Sequence, residues 1–129
     1  MLLVVGDPAV AEMYRVRLEL DGYRVLVATD ARAGLRLIRE LAPELVVLDW
    51  HLPDLDGLAV LTAIRADGIG RDQPVVVLSM QREPAMAQAA MGPGIVAWLE
   101  TASATPGDLS ALVRRVVGLE LGRQRERRT

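Results

Sequence analysis

Two short segments of the chain are apolar at every position, and they restrict the folds that the sequence can adopt. These are Leu45-Val46-Val47-Leu48 and Val75-Val76-Val77-Leu78. Strands that are buried on both faces are typical of a parallel sheet covered by helices on both sides. The sequence therefore predicts an α/β fold with these two strands near its centre.

Three further apolar runs complete a set of predicted strands, at residues 2–5, 24–28, 45–48, 75–78 and 95–99. Helical apolar spacing follows each of the first three strands, and the first predicted helix has its apolar face at Val10, Met13, Tyr14 and Leu18. A fourth helix is predicted near residues 84–91, and a fifth begins with Thr105 as its N-cap. This alternation predicts a doubly wound, flavodoxin-like parallel sheet of five strands, in the order 2-1-3-4-5, with five helices.

The composition excludes several kinds of chemistry. The 129 residues include no cysteine, no lysine and one histidine, so thiolate nucleophiles and multi-histidine metal centres are ruled out, and a hydrolase is not expected. The net charge of −2 disfavours nucleic-acid binding by this domain. No apolar run is long enough to span a membrane and no signal-peptide pattern is present, so we expect a cytoplasmic location.

The C-terminal residues form a basic segment that differs from the rest of the chain. Four arginines lie between residues 122 and 129, at Arg123, Arg125, Arg127 and Arg128. We interpret residues 1–121 as one domain and residues 122–129 as a basic tail or linker.

The residues that follow the predicted strands are the candidates for a functional site. In an open parallel sheet, ligands bind beyond the carboxyl ends of the strands. Gly6 and Asp7 follow the first strand, Asp49 the third, Ser79 the fourth and Thr101 the fifth. We therefore expect these five residues to border one site.

The segment Leu45 to Gly57, LVVLDWHLPDLDG, together with Ser79 and Trp98, resembles the receiver domains of response regulators. In this resemblance Asp49 matches the phosphate-accepting aspartate, Ser79 the switch Ser/Thr and Trp98 the switch aromatic. It implies that Asp49 attacks phosphorus and accepts a phosphoryl group from a histidine kinase or a small phosphodonor. It also implies that any homodimer uses the surface of the predicted fourth helix, fifth strand and fifth helix.

Two groups that support this chemistry in the family are missing at the matching positions. Val5 and Gly6 stand where the family has two metal-binding acids, and Thr101 stands where it has a lysine. Asp7 falls one position later and precedes Pro8, which is typical of a helix N-cap. The resemblance thus implies a Mg²⁺ site that is weak or absent, with Asp49, Asp7 and the backbone carbonyl of His51 as its candidate ligands.

Three functions stay open on this evidence. The first is a pseudo-receiver that regulates a histidine kinase or another signalling protein through protein contacts, with little phosphorylation of Asp49. The second is a working Mg²⁺-dependent phospho-acceptor. The third is a small-molecule sensor that uses the space bordered by Gly6, Asp49, Ser79 and Thr101.

Overall fold

A computed structural model describes residues 1–66, 73–80 and 95–128 of the chain. The strands are β1 (Leu2–Val4), β2 (Leu26–Ala28), β3 (Val46–Asp49), β4 (Val75–Ser79) and β5 (Ile95–Glu100). The helices of this described part are α1 (Pro8–Leu20), α2 (Ala31–Leu41), α3 (Gly57–Ala66) and α4 (Pro106–Arg128). The helix predicted near residues 84–91 lies outside the described residues.

All strand pairs of the sheet are parallel, and the strand order is β2-β1-β3-β4-β5. The predicted fold class and strand order are therefore confirmed. The strand ends differ by one or two residues from the predicted ones, since β2 begins at Leu26 and β3 includes Asp49. The latter difference places the carboxylate at the edge of the sheet itself.

The two faces of the sheet are buried by different helices. Leu2, Val4, Val46, Leu48 and Trp50 belong to a cluster with residues of α2 and α3, which we call the α2/α3 cluster. The intervening residues of β1 and β3 pack with α1 and α4 on the other face, in what we call the α1/α4 cluster. Side chains of a strand alternate between faces, so an apolar run in β1 or β3 supplies both clusters.

Local capping signals set the beginnings of two helices. The Asp7 carboxylate caps α1 by accepting hydrogen bonds from the N–H groups of Ala9 at 2.9 Å and Val10 at 3.3 Å. At the start of α4, the Asp108 N–H donates to Thr105 Oγ1 at 3.2 Å, and the Thr105 N–H donates to Asp108 Oδ2 at 2.8 Å. Both predicted N-caps are confirmed, and the second is a reciprocal capping box.

One predicted core position is wrong. Met13 is 46% exposed, and the buried residues of α1 are Ala11, Tyr14 and Leu18. The helix therefore packs on the sheet through Ala11, Tyr14 and Leu18, and Met13 lies outside this buried face. Within the described residues, no helix is both long and apolar enough to cross a membrane.

Candidate functional site

The Asp49 carboxylate lies at the carboxyl end of β3 and is half-buried. The N–H of His51 donates to Asp49 Oδ1 at 3.2 Å, and the N–H of Gly6 also donates to this carboxylate. Burial raises the pKa of Asp49 above its ordinary value, and the two backbone donors oppose this rise by stabilising the charged form. Backbone N–H dipoles therefore contact the carboxylate here, and the charge of His51 lowers its pKa in the same direction.

The loop after β1 brings no side-chain oxygen to Asp49 from positions 5 and 6. Val5 is buried in the α1/α4 cluster, and Gly6 has no side chain. A Cβ added at Gly6 would lie 3.1 Å from Pro53 Cδ and 4.0 Å from the carbonyl oxygen of His51. The Pro53 ring therefore packs closely against Gly6, and the His51 carbonyl oxygen lies near the same glycine.

Asp7 is the other acid that was predicted as a Mg²⁺ ligand, and its carboxylate lies at the start of α1. It is exposed, and its Oδ1 atom accepts both hydrogen bonds of the helix cap. In the parts of the chain that the structure describes, no group of three or more histidine, aspartate or glutamate side chains is close enough to hold a metal ion.

Ser79 and Thr101 adjoin each other at the carboxyl ends of β4 and β5. Ser79 is buried, with 1% of its surface exposed, and its carbonyl oxygen accepts a hydrogen bond from the Thr101 N–H at 2.7 Å. Because β3, β4 and β5 are neighbours, Asp49, Ser79 and Thr101 share one edge of the sheet. Trp98 lies on β5 opposite Val77 and packs against the α2/α3 cluster.

Trp50 is a prominent residue of this region that the sequence analysis did not single out. Its side chain is 1% exposed, and its ring centroid lies 5.2 Å from that of Trp98, with an angle of 44° between the ring planes. A Cβ at Gly57 would lie 2.3 Å from Trp50 Cε3, so the ring lies directly on this glycine. The sequence feature that could have indicated this contact is a large residue directly after Asp49 together with a glycine at the start of the next helix.

Asp54 and Asp56 organise the loop that follows Asp49. Asp56 directly precedes α3 and caps it by accepting a hydrogen bond from the Ala59 N–H at 2.8 Å. Asp54 instead reaches α2 and accepts hydrogen bonds from the N–H groups of Ala31 at 2.8 Å and Arg32 at 3.2 Å. These bonds hold the pKa of Asp54 below its ordinary value. The loop is thereby tied to the beginning of a second helix.

A cavity of about 670 Å³ lies at the opposite, amino edge of the sheet. Its lining includes Tyr23, Leu26, Leu37, Leu41, Leu45 and Val116. Neither Asp49 nor any other predicted site residue lines this cavity. The small-molecule site predicted around Asp49 therefore does not coincide with it.

The model of the response regulator receiver domain family matches residues 1–113 of the chain. The chain belongs to this family. The DNA-binding dual master transcriptional regulator RpaA of Synechocystis is 37% identical over 79 residues, which cover 61% of this chain and 33% of that protein. The receiver domain therefore spans about a third of the length of this relative.

Solved receiver structures agree with the fold. A CheY-like receiver domain protein from Methanospirillum hungatei JF-1 is similar with a TM-score of 0.84 and 22% identity, and the match covers 95% of each chain. The receiver domain of the sensor histidine kinase PA1611 from Pseudomonas aeruginosa PAO1 is similar with a TM-score of 0.78 and 25% identity, over 91% of this chain and 95% of that one. That structure has a magnesium ion coordinated in its active-site cleft.

Proposed function

We propose that this receiver domain acts in two-component signalling as a pseudo-receiver, which regulates a partner through protein contacts and accepts phosphate at Asp49 slowly or not at all. The observation that carries this proposal is that positions 5 and 6 bring no side-chain oxygen to the Asp49 carboxylate. Backbone N–H groups of Gly6 and His51 contact it, and the side chain of Val5 is packed into an apolar cluster.

The argument is electrostatic. A phosphoryl group in transfer spreads negative charge over three oxygens, and preorganised cations supply much of the stabilisation of that charge. Mg²⁺ needs several oxygen ligands in near-octahedral geometry. Val5 and Gly6 have no side-chain oxygen to offer, and Asp7 uses its Oδ1 atom to cap α1. These residues therefore cannot replace the pair of acids that holds the ion in other receiver domains.

The position of the family's lysine is the second support for the proposal. Thr101 offers one neutral hydroxyl there, whereas an ammonium group would form a charge-assisted hydrogen bond about twice as strong. The burial that raises the pKa of Asp49 also disfavours its nucleophilic, ionised form. Together these features favour a phosphorylation rate at least about two orders of magnitude below that of a complete site.

The proposal extends to the partner and to the limits of the domain. We infer that a histidine kinase or another signalling protein is the partner, that residues 1–121 form the receiver domain, and that residues 122–129, at the end of α4, are a basic tail or linker. In this scheme the domain acts as a signalling module and not as an enzyme. A homodimer through the helix predicted near residues 84–91, β5 and α4 stays a prediction.

The test is phosphorylation with acetyl phosphate and Mg²⁺, followed by intact-mass analysis. We expect no stable phosphate on the wild type. A Gly6→Asp/Thr101→Lys variant should gain one phosphate, because the new carboxylate would lie beside the His51 carbonyl and Asp49. Pro53 must move by a few tenths of an ångström to admit it, since the Cβ contact is 3.1 Å. Position 5 is left unchanged because Val5 is buried in the core.

Two control variants make the result specific. Asp49→Asn should abolish any phosphate that the double variant gains. Asp7→Ser keeps an N-cap group for α1 while removing the carboxylate. Rapid phosphorylation of the wild type to high occupancy would replace this proposal by the Mg²⁺-dependent phospho-acceptor, and its loss in Asp7→Ser would then identify Asp7 as a ligand.

A further inference from the structure

Trp50 and Trp98 form a contact that the proposed function leaves unexplained. They are the only two tryptophans of the sequence, and their tilted rings lie with centroids 5.2 Å apart. This distance falls within the favourable range for aromatic pairs. The contact joins the residue that directly follows Asp49 to β5, two strands away in the sheet.

The position of Trp50 is fixed by its backbone and by packing. Its N–H donates to the Leu78 carbonyl oxygen at 2.8 Å, and its own carbonyl oxygen accepts a hydrogen bond from the Gly57 N–H at 2.7 Å. The ring lies on Gly57 so closely that a Cβ there would approach it to 2.3 Å. Trp50 therefore presents a rigid surface to Trp98.

The orientation of Trp98 depends on that surface. The Nε1 atoms of Trp98 and Trp50 are buried, and neither has a hydrogen-bond acceptor in the described structure. An indole N–H that leaves water without gaining an acceptor opposes burial of its ring. Contact with the α2/α3 cluster, including the Trp50 ring, must offset this cost for Trp98 to stay on the core side of β5.

We propose that Trp50 is a positioning residue that holds Trp98 on the core side of β5 whether or not Asp49 carries a phosphoryl group. The surface around β5 then has one fixed shape for a protein partner. This inference rests on the proposed function, because a domain that acts without phosphate needs a binding surface that forms without it. Loss of the aromatic pair should shift the balance between the orientations of Trp98 by roughly twofold to tenfold.

The experiment uses Trp98 as a single fluorescent reporter. Trp50→Phe and Trp50→Leu each leave it as the only tryptophan, and its exposure is measured by acrylamide quenching. Trp98 is partly buried, so we expect partial protection in Trp50→Phe, which keeps an aromatic ring, and at least about a twofold larger quenching constant in Trp50→Leu. Equal quenching in the two variants would overturn the inference.

A matched control separates this role from general loosening of the core. Ile64→Ala in the Trp50→Phe background removes buried volume from the same cluster without removing the aromatic pair. Trp98 should stay protected in it. If Ile64→Ala exposes Trp98 as much as Trp50→Leu does, then Trp50 has no specific effect on Trp98.

A measurement on the wild type covers the case in which Trp50→Leu does not fold. Two indole rings in contact give a coupled signal in the circular dichroism spectrum, and this signal should be lost in both Trp50→Phe and Trp98→Phe. A wild-type spectrum without such a signal would show that the rings are not in contact, which contradicts the inference.

Failure of this inference is distinguishable from failure of the proposed function. The quenching measurements are made on unphosphorylated protein, so they decide the role of Trp50 whatever the phosphorylation assay shows. In the Gly6→Asp/Thr101→Lys/Trp50→Phe variant, phosphorylation should leave the quenching of Trp98 unchanged. Exposure of Trp98 on phosphorylation would overturn the inference alone, whereas phosphorylation of the wild type with Trp98 still protected would overturn the proposed function alone.

Discussion

Replacement of Gly57 by alanine tests the packing of the loop that follows Asp49. The new Cβ would lie 2.3 Å from Trp50 Cε3 and 2.5 Å from Trp50 Cδ2. Carbon atoms in contact are about 3.5 Å apart or more, so the two groups must separate by about 1.2 Å. Trp50 has little freedom to withdraw, because its N–H and its carbonyl oxygen are both hydrogen-bonded.

The expected cost follows from this overlap. Extra methylene groups in a packed core typically cost 1–3 kcal/mol, and an overlap of this size places Gly57→Ala near the upper end, at about 3 kcal/mol. For a domain of this length the corresponding fall in melting temperature is roughly 10 °C. The general preference of helices for alanine acts in the opposite direction and is smaller, at about 1 kcal/mol.

Urea denaturation followed by circular dichroism at the helix band measures this cost without relying on tryptophan fluorescence. Gly118→Ala is the matched control, because Gly118 is an exposed position of α4 where a Cβ would meet nothing within 4 Å. It should stabilise the domain by about 0.5–1 kcal/mol. A Gly57→Ala/Trp50→Leu double variant should recover at least about 1 kcal/mol of the expected additive loss. A loss below about 0.5 kcal/mol for Gly57→Ala, or strict additivity in the double variant, would refute this account of the packing.

Three further predictions concern stability. Asp54→Asn should lower the melting temperature near neutral pH, because the hydrogen bonds from α2 lower the pKa of Asp54. The difference in melting temperature between wild type and variant should disappear as the pH falls below about 3.9 and through the lowered pKa. Asp49→Asn should stabilise the domain near neutral pH but not near pH 3. Burial raises the pKa of Asp49, so the stability that the protonated carboxyl gives the folded state is lost as the pH rises through that pKa. Urea titrations at both pH values that showed the reverse trend would contradict this. Ala42→Gly should stabilise the domain by about 1 kcal/mol, because Ala42 has a φ of 44° in the left-handed region, and a thermal melt that shows no gain would argue against strain there.

Features that depend on neighbouring residues in the sequence were predicted correctly. The continuous apolar runs of β3 and β4 indicated burial on both faces, and from this the parallel sheet followed. The Asp7-Pro8 pair and Thr105 each predicted a helix start that the structure confirms. These signals are local, so strand order and loop conformation do not affect them.

Features that depend on contacts between distant segments were not predicted. The bond from the Ala31 N–H to Asp54 joins residues 23 positions apart, and the Trp50–Trp98 contact joins residues 48 positions apart. Both require the strand order and the loop path to be known first. The burial of Met13 was predicted wrongly for a different reason. The buried residues of α1 are Ala11, Tyr14 and Leu18, and the small Ala11 has a weaker hydrophobic signal than Met13.

The alternation of side chains along β3 separates the surroundings of Asp49 from those of the Trp50–Trp98 pair. Leu48 and Trp50 both face the α2/α3 cluster, so Asp49 between them points toward the other face. On that face the pKa of Tyr14 on α1 is raised, first by burial of its side chain and then by the charge of Asp49. Val5 packs on this same face, in the α1/α4 cluster. The Trp50–Trp98 pair lies on the opposite face, so a substitution at Val5 should leave the contact between the two rings intact.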